Sequence, residues 1–359
     1  MRIGLALFVA LVGGCARPPA PLPPVFYPPP PERPRVQFLR SVSSADDVRP
    51  KPSFLARLVF GDRSAGEVPG VARPYGLTFD QGKLYACDSG ARRGVVFDFV
   101  RKEFRTFGDR GADAFRMPIN ISRGPDGESY VTDTLRGQVL VLDTEDRPAR
   151  ALRGPEGMKP CDAVWHDGEL FVADLGRNAV LVLDPKTGQL RRQIGRAGAG
   201  PGEFAQPTNL AFGPHGRLYV SDTLNARVQV LDTKGTPLKV IGSRGRALGQ
   251  MVRPKGIAVD AESRLYVADA AAESVLVYDR DGRLLMLVGG PGVGRGGLSL
   301  PAKVALSREG VELFASCAAP EFRVEYLIFV SNQLGPNKIN VYGFGTYQGP
   351  VANGEASRP

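Results

Sequence analysis

The sequence predicts an all-β fold, a six-bladed β-propeller, on three observations: a four-residue motif at fixed register, a proline heading an apolar stretch before each copy, and almost no helical periodicity. The motif is an aromatic residue, two small residues and an aspartate. It reads Tyr85-Ala86-Cys87-Asp88, Tyr130-Val131-Thr132-Asp133, Phe171-Val172-Ala173-Asp174, Tyr219-Val220-Ser221-Asp222 and Tyr266-Val267-Ala268-Asp269. A second aspartate follows ten residues later in each case, at Asp98, Asp143, Asp184, Asp232 and Asp279. The prolines are Pro74, Pro118, Pro160, Pro207, Pro254 and Pro301, so six units are expected.

Each unit reads as four short antiparallel strands. In the fourth, Leu210-Ala211-Phe212 is the inner strand, followed by Leu218-Tyr219-Val220, Val228-Gln229-Val230-Leu231 and an outer run from Leu238 to Ile241. These apolar runs are bounded by Pro, Gly and Asp clusters, which break ladders and start turns. The sixth unit departs from the pattern. Residues 311–325 are inserted before Phe329-Val330-Ser331-Asn332, where Asn replaces Asp, and no outer strand follows Val341-Tyr342. Ala56-Arg57-Leu58-Val59-Phe60-Gly61 has the shape of outer strands such as Arg192-Gln193-Ile194-Gly195. The expectation is that this N-terminal strand completes the last blade and closes the ring, leaving no sheet edge open.

The first residues address the compartment. Arg2, an apolar run from Ile3 to Val12, Gly13, Gly14 and then Cys15 form a signal peptide over 1–14, and Leu11-Val12-Gly13-Gly14-Cys15 resembles a bacterial lipobox. Cys15 is therefore the candidate lipidation site, which anchors the mature chain to a membrane. Prolines crowd the stretch from Ala16 to Pro34, so residues 15–52 are expected to be a semi-rigid linker, 53–346 the propeller and 347–359 a disordered tail. The remaining cysteines, Cys87, Cys161 and Cys317, share no CxxC spacing, and the chain has only His166 and His215. That inventory excludes a CxxCH haem site, a Cys/His zinc set and a Ser-His-Asp triad.

Gly195 to Phe204, with Pro207, Tyr219-Val220-Ser221-Asp222, Asn225, Arg227-Val228 and Asp232, closely resembles an NHL repeat, a likeness that extends over roughly residues 54–345. It implies a propeller, and leaves function open, because NHL propellers include binding modules and a lyase. The run from Ala318 to Gln333, ending in Val341-Tyr342-Gly343-Phe344-Gly345, further resembles NHL lipoproteins of metal-reducing and related proteobacteria, commonly encoded beside multihaem c-type cytochromes. That resemblance bears on partners only, and implies a redox protein as one.

Charge supplies the candidate surface. Lys and Arg number 46 against 37 Asp and Glu, a formal charge of +9. Propeller topology puts the loop between blades and the turn after each motif aspartate on one face. The expected partner-binding residues there are Arg73, Arg116, Arg136, Arg177, Arg227, Arg253, Lys255 and Lys303. A basic face steers anionic partners, and Arg forks onto carboxylates and phosphates. Export argues against nucleic acid. The repeated motif aspartates are expected to bond their own backbone, because carboxylates spread around a ring do not converge on a metal.

The residues two positions after each proline, Gly76, Asn120, Asp162, Asn209, Gly256 and Lys303, are expected to look into the central channel. Asn120, Asp162 and Asn209 form the candidate channel mouth. No cofactor is expected, the alternative being a Ca²⁺-like ion on those oxygens. The function expected is a non-enzymatic, lipid-anchored scaffold of the bacterial outer membrane, with an anionic or cytochrome-like protein as partner. The alternative is a metal-dependent hydrolase or lyase acting through Asp162.

Overall fold

The computed structural model describes residues 22–50 and 68–350. Six antiparallel sheets stand around a central axis. Blade 1 consists of Pro74–Asp80, Lys83–Asp88, Arg93–Asp98 and Glu103–Phe107, counted from the axis outwards. Blades 2 to 5 repeat that order, their inner strands being Pro118–Arg123, Pro160–His166, Pro207–Phe212 and Pro254–Val259. Neighbouring inner strands lie against one another around the whole ring, blade 6 against blade 1 included. Proline suits the first position of each inner strand, because no ladder hydrogen bond is demanded of it there.

Burial grades outward from the axis. The second and third strands are buried along their length, as in Leu170-Phe171-Val172-Ala173 and Ala179 to Leu183, while the outer strands alternate exposed and half-buried residues. The core is accordingly a set of inter-blade layers. Between blades 3 and 4, for example, Phe171, Val182, Ile194, Phe204, Leu210 and Val220 pack together. Phe204 fits because Gly195, with a φ of 77°, has no side chain. A Cβ at that position would lie 2.4 Å from the Phe204 ring.

The ring closes through the N-terminus, as expected, but with a different strand. Blade 6 is Pro301–Ser307, Phe322–Asn332, Ile339–Tyr347, then Val36–Val42 and, as a fifth strand, Val25–Tyr27. Val36–Val42 pairs antiparallel with Ile339–Tyr347. The expected closing strand, Ala56 to Gly61, lies outside the described residues, as do the signal peptide, Cys15 and residues 351–359. The linker expected over 15–52 is corrected too, because residues 25–42 belong to the folded body. The physical reason is that the strand is apolar on both faces: Val36 and Phe38 pack toward blade 5 and Leu39 and Val42 toward blade 1, so both faces are buried. Tyr347, placed in the expected tail, ends a strand of that blade.

The insertion at 311–325 packs against the body. Val311–Cys317 is a 3-10 helix whose Phe314 is buried against Phe79, Phe99 and Phe329. No helix among the described residues is long and apolar enough to cross a membrane.

Candidate anion-binding channel mouth

One face is stitched together by the motif aspartates. Asp88 accepts from the backbone N–H groups of Ala72, Arg73 and Ala91, and Asp133 from those of Arg116, Met117 and Arg136. Asp269 accepts four, from Val252, Arg253, Ala271 and Ala272. Asp174 and Asp222 bond in the same way to Lys159 and Ala205, and Asn332 holds Ser299. All five aspartates are fully buried. Each therefore ties the loop entering its blade to the turn after its second strand, which makes those loops one surface, as the sequence implies.

Three of the expected partner-binding arginines are spent inside that framework. Arg136 donates to the carbonyls of Ala112 and Ala114, Arg177 to Glu156 and to Asp174, and Arg227 to Gly200, Glu203 and Asp222. They are half-buried loop staples, and their placement as free partner-binding cations is corrected. Arg73, Arg116 and Arg253 stay exposed, and no side-chain hydrogen bond or ion pair holds them among the described residues. The sequence does carry a sign of the difference. Arg136 and Arg177 stand three residues after their motif Asp, and Arg93 and Arg227 five after theirs, which is the regularity of a structural repeat.

The axis is built from bulges. The ladder between the first and second strands skips after the leading proline in every blade, between Pro160 and Asp162 for instance. A bulge re-aims side chains. Here both residues after the proline turn inward: Tyr75, Ile119, Cys161 and Ala302, from four different blades, touch one another across the ring. This first tier was missed in the sequence, where only the second residue after each proline was placed in the channel. Gly76 and Gly256 permit close approach of the inner strands, since a Cβ at either would meet Asn120 Oδ1 at 2.0 Å or Lys303 Cα at 2.3 Å.

Lys303 belongs to this interior, as its register after Pro301 implied, and so does Lys255, which corrects their expected place on the partner-binding surface: Lys255 and Lys303 are 8% and 7% exposed. Lys303 Nζ reaches across to Asp162 Oδ2 at 3.1 Å. Asn209 Nδ2 and the Leu210 N–H donate to that same oxygen at 3.2 and 2.9 Å, while Asp162 Oδ1 accepts from Ala163 N–H. The ammonium of Lys303 thus stands where a Ca²⁺-like ion on Asp162 would have to sit. Asn120 Oδ1 accepts from Ile121 N–H, and Asn209 Oδ1 has no partner, so the three expected oxygens do not converge. No group of three or more His, Cys, Asp or Glu side chains suits a metal ion among the described residues.

Above this bridge Lys255 Nζ lies 4.9 Å from the centroid of the Tyr75 ring, a cation–π contact. Burial, with Arg253 adding repulsion, pulls the Lys255 ammonium down to about 8. Burial pushes the Cys161 thiol up to about 12, with Asp162 adding to the rise, so Cys161 is a neutral packed thiol and a poor nucleophile. Burial also raises the Tyr75 phenol well above its ordinary value. His166, stacked on Phe212 at 3.8 Å, and His215 stand away from the axis, at the far end of the blades.

Comparison with known proteins supports the architecture. The DUF5128 family, described as a 6-bladed beta-propeller, matches residues 159–213. No curated protein matches the chain. Among solved structures, virginiamycin B lyase from Staphylococcus aureus, an inactive H270A form with quinupristin, is similar at 13% identity and a TM-score of 0.54, over 76% of this chain and 95% of that one. A calcium-binding regucalcin from Agrobacterium tumefaciens is similar at 18% identity and 0.53, over 78% and 92%. A Bacteroides thetaiotaomicron protein of unknown function reaches 0.60 at 15% identity, over 86% and 75%. At such identities the likeness is one of fold: an all-β six-bladed propeller whose structural relatives include lyases and binding proteins.

Proposed function

We propose that this chain is a non-catalytic binding propeller of the bacterial envelope, held to the outer membrane by lipid on Cys15, that offers its basic loop face to an anionic protein. The observation that carries the reading is the division of charge at that face. Its motif aspartates and Asp162 are consumed by backbone N–H groups and by Lys303, whereas Arg73, Arg116, Lys159 and Arg253 remain exposed on the loops that lead into the inner strands, beside the exposed acids Asp113 and Glu156. Such a surface attracts carboxylates and phosphates at long range and binds them by forked hydrogen bonds at short range. A multihaem c-type cytochrome, with its acidic propionates, is the partner suggested by the likeness to NHL lipoproteins.

Crosslinking of the tethered protein in its native membrane tests this. One anionic protein should be captured, and capture should fail in about 0.5 M salt and in the Arg73→Glu, Arg116→Glu, Arg253→Glu triple variant. Capture indifferent to both would overturn the reading. Asp162→Asn should leave capture unchanged, whereas a hydrolase or lyase acting through Asp162 would lose its activity.

A further inference from the structure

We propose that the channel mouth holds a site for a single oxyanion group, a carboxylate or a phosphate, with Lys255 as its buried cationic anchor. The inference deepens the basic-face reading and rests on it for the origin of the ligand. Its starting point is a charge without a counter-charge. Lys255 is nine-tenths buried, yet no acceptor or carboxylate bonds it among the described residues. Buried charges are ordinarily paired, because desolvation is otherwise uncompensated.

The groups around Lys255 do not supply the missing partner. The Tyr75 ring lies against it, the Cys161 thiol is neutral, and Arg253 is a second cation. Asp162 is the one acid among the twelve residues that follow the six prolines at the axis, and Lys303 and Asn209 occupy it. A second donor is unsatisfied in the same ring: Asn120 Nδ2 is buried and has no acceptor. Immediately before the prolines of blades 1, 3 and 5 stand Arg73, Lys159 and Arg253, all exposed, alternating with the uncharged Met117, Gln206 and Leu300. Positive charge thus collects around an axis whose only acid is already paired, and an arriving oxyanion supplies the counter-charge, while Asn209 Oδ1 stays a buried acceptor that it does not serve.

The site has a signature that a structural lysine lacks. The free Lys255 ammonium titrates near 8, and a bound anion favours its charged form and so raises that value. The lysine's share of the proton balance is therefore an uptake of as much as about half a proton at pH 8 and almost none at pH 6, and for probes that themselves titrate in this range, such as phosphate and citrate, it is read as the difference between the wild type and Lys255→Arg.

Calorimetry of the full-length protein in buffers of differing ionisation heat, with inorganic phosphate and with citrate as probes, reads this directly. Saturable binding with proton uptake at pH 8 is expected for the wild type. Lys255→Met should weaken binding at least about tenfold, and Lys255→Arg, which stays charged, should bind with as much as about half a proton less uptake at pH 8 than the wild type. Circular dichroism establishes that both variants fold. Tighter binding of phosphate points to a phosphorylated glycan or headgroup, and tighter binding of citrate to carboxylates. Absence of binding by both probes, or an uptake at pH 8 that is the same in Lys255→Arg as in the wild type, would overturn the proposal. Lost protein capture with intact phosphate binding sinks only the face reading, and intact capture without phosphate binding sinks only this one.

Discussion

The ring of motif aspartates and the axis it surrounds are built from the same repeat and behave in opposite ways. At the motif position five blades carry the same residue, every copy is buried, and every copy is satisfied by backbone N–H groups of its own loops. At the axis the six blades contribute Gly76, Asn120, Asp162, Asn209, Gly256 and Lys303, with Tyr75 and Lys255 beside them, and a donor on Asn120 and an acceptor on Asn209 remain unpartnered. Where the repeat insists on one residue, that residue closes loops. Where the repeat lets each blade differ, charge and hydrogen-bonding capacity are left for something else.

Breaking the axis should have the largest effect on stability. Lys303→Met strands the Asp162 carboxylate inside the channel and is expected to cost about 3–5 kcal/mol in urea unfolding. The double variant Lys303→Met, Asp162→Asn should recover most of that loss. A double variant as unstable as the single one would show that the pair matters through packing. Next comes the motif. Asp269→Ala removes the acceptor of four backbone N–H groups and should cost about 3 kcal/mol. Asn332→Ala in blade 6, where the side chain accepts from Ser299 N–H and donates to Asn337 C=O, should cost only about 1–2 kcal/mol. Equal losses at the two positions would erase the distinction between the five regular blades and the closing one.

A smaller effect belongs to the far end of the blades. The Arg150 guanidinium forks onto Glu128 at 2.7 and 2.8 Å and holds its carboxyl below the ordinary range. A depressed carboxylate contributes stability that is present above its unfolded-state value and is lost as pH falls through the folded one. Both side chains are partly exposed, so the contribution is about 0.5 kcal/mol. Arg150→Met should lower stability at neutral pH by about that 0.5 kcal/mol and leave stability in acid, where the carboxyl is protonated in either form, nearly unchanged. The smallest effect is expected at Arg116→Glu, an exposed residue without a bonded partner, where stability should shift by less than about 0.5 kcal/mol.

Six blades and the self-bonding aspartates were legible in the sequence because both are repeated, and repetition averages out local noise. The closing strand was not. Val36–Val42 follows a proline-rich run whose composition reads as linker, while Ala56 to Gly61 matches the outer-strand pattern and drew the assignment. The channel was legible by register, since the proline fixes where each inner strand begins. What escaped was the bulge after it, which brings Tyr75, Cys161 and Lys255 to the axis. The flexible stem of Lys255 buries its charge in the channel, where position alone puts it on the surface. Arg136, Arg177 and Arg227 were misread because charge was counted without asking which loop carbonyls lay within range.

Hydrogen exchange on the protein, free and bound to its captured partner, tests the central claim most directly. The account predicts that protection on binding falls on segments distant in sequence and joined only by the motif aspartates: residues 72–75, 115–118, 157–160 and 251–255. The turns at 143–147, 260–264 and 279–283, on the opposite face, should exchange as before. Protection concentrated on those turns, or on the outer edges of the blades, would contradict it.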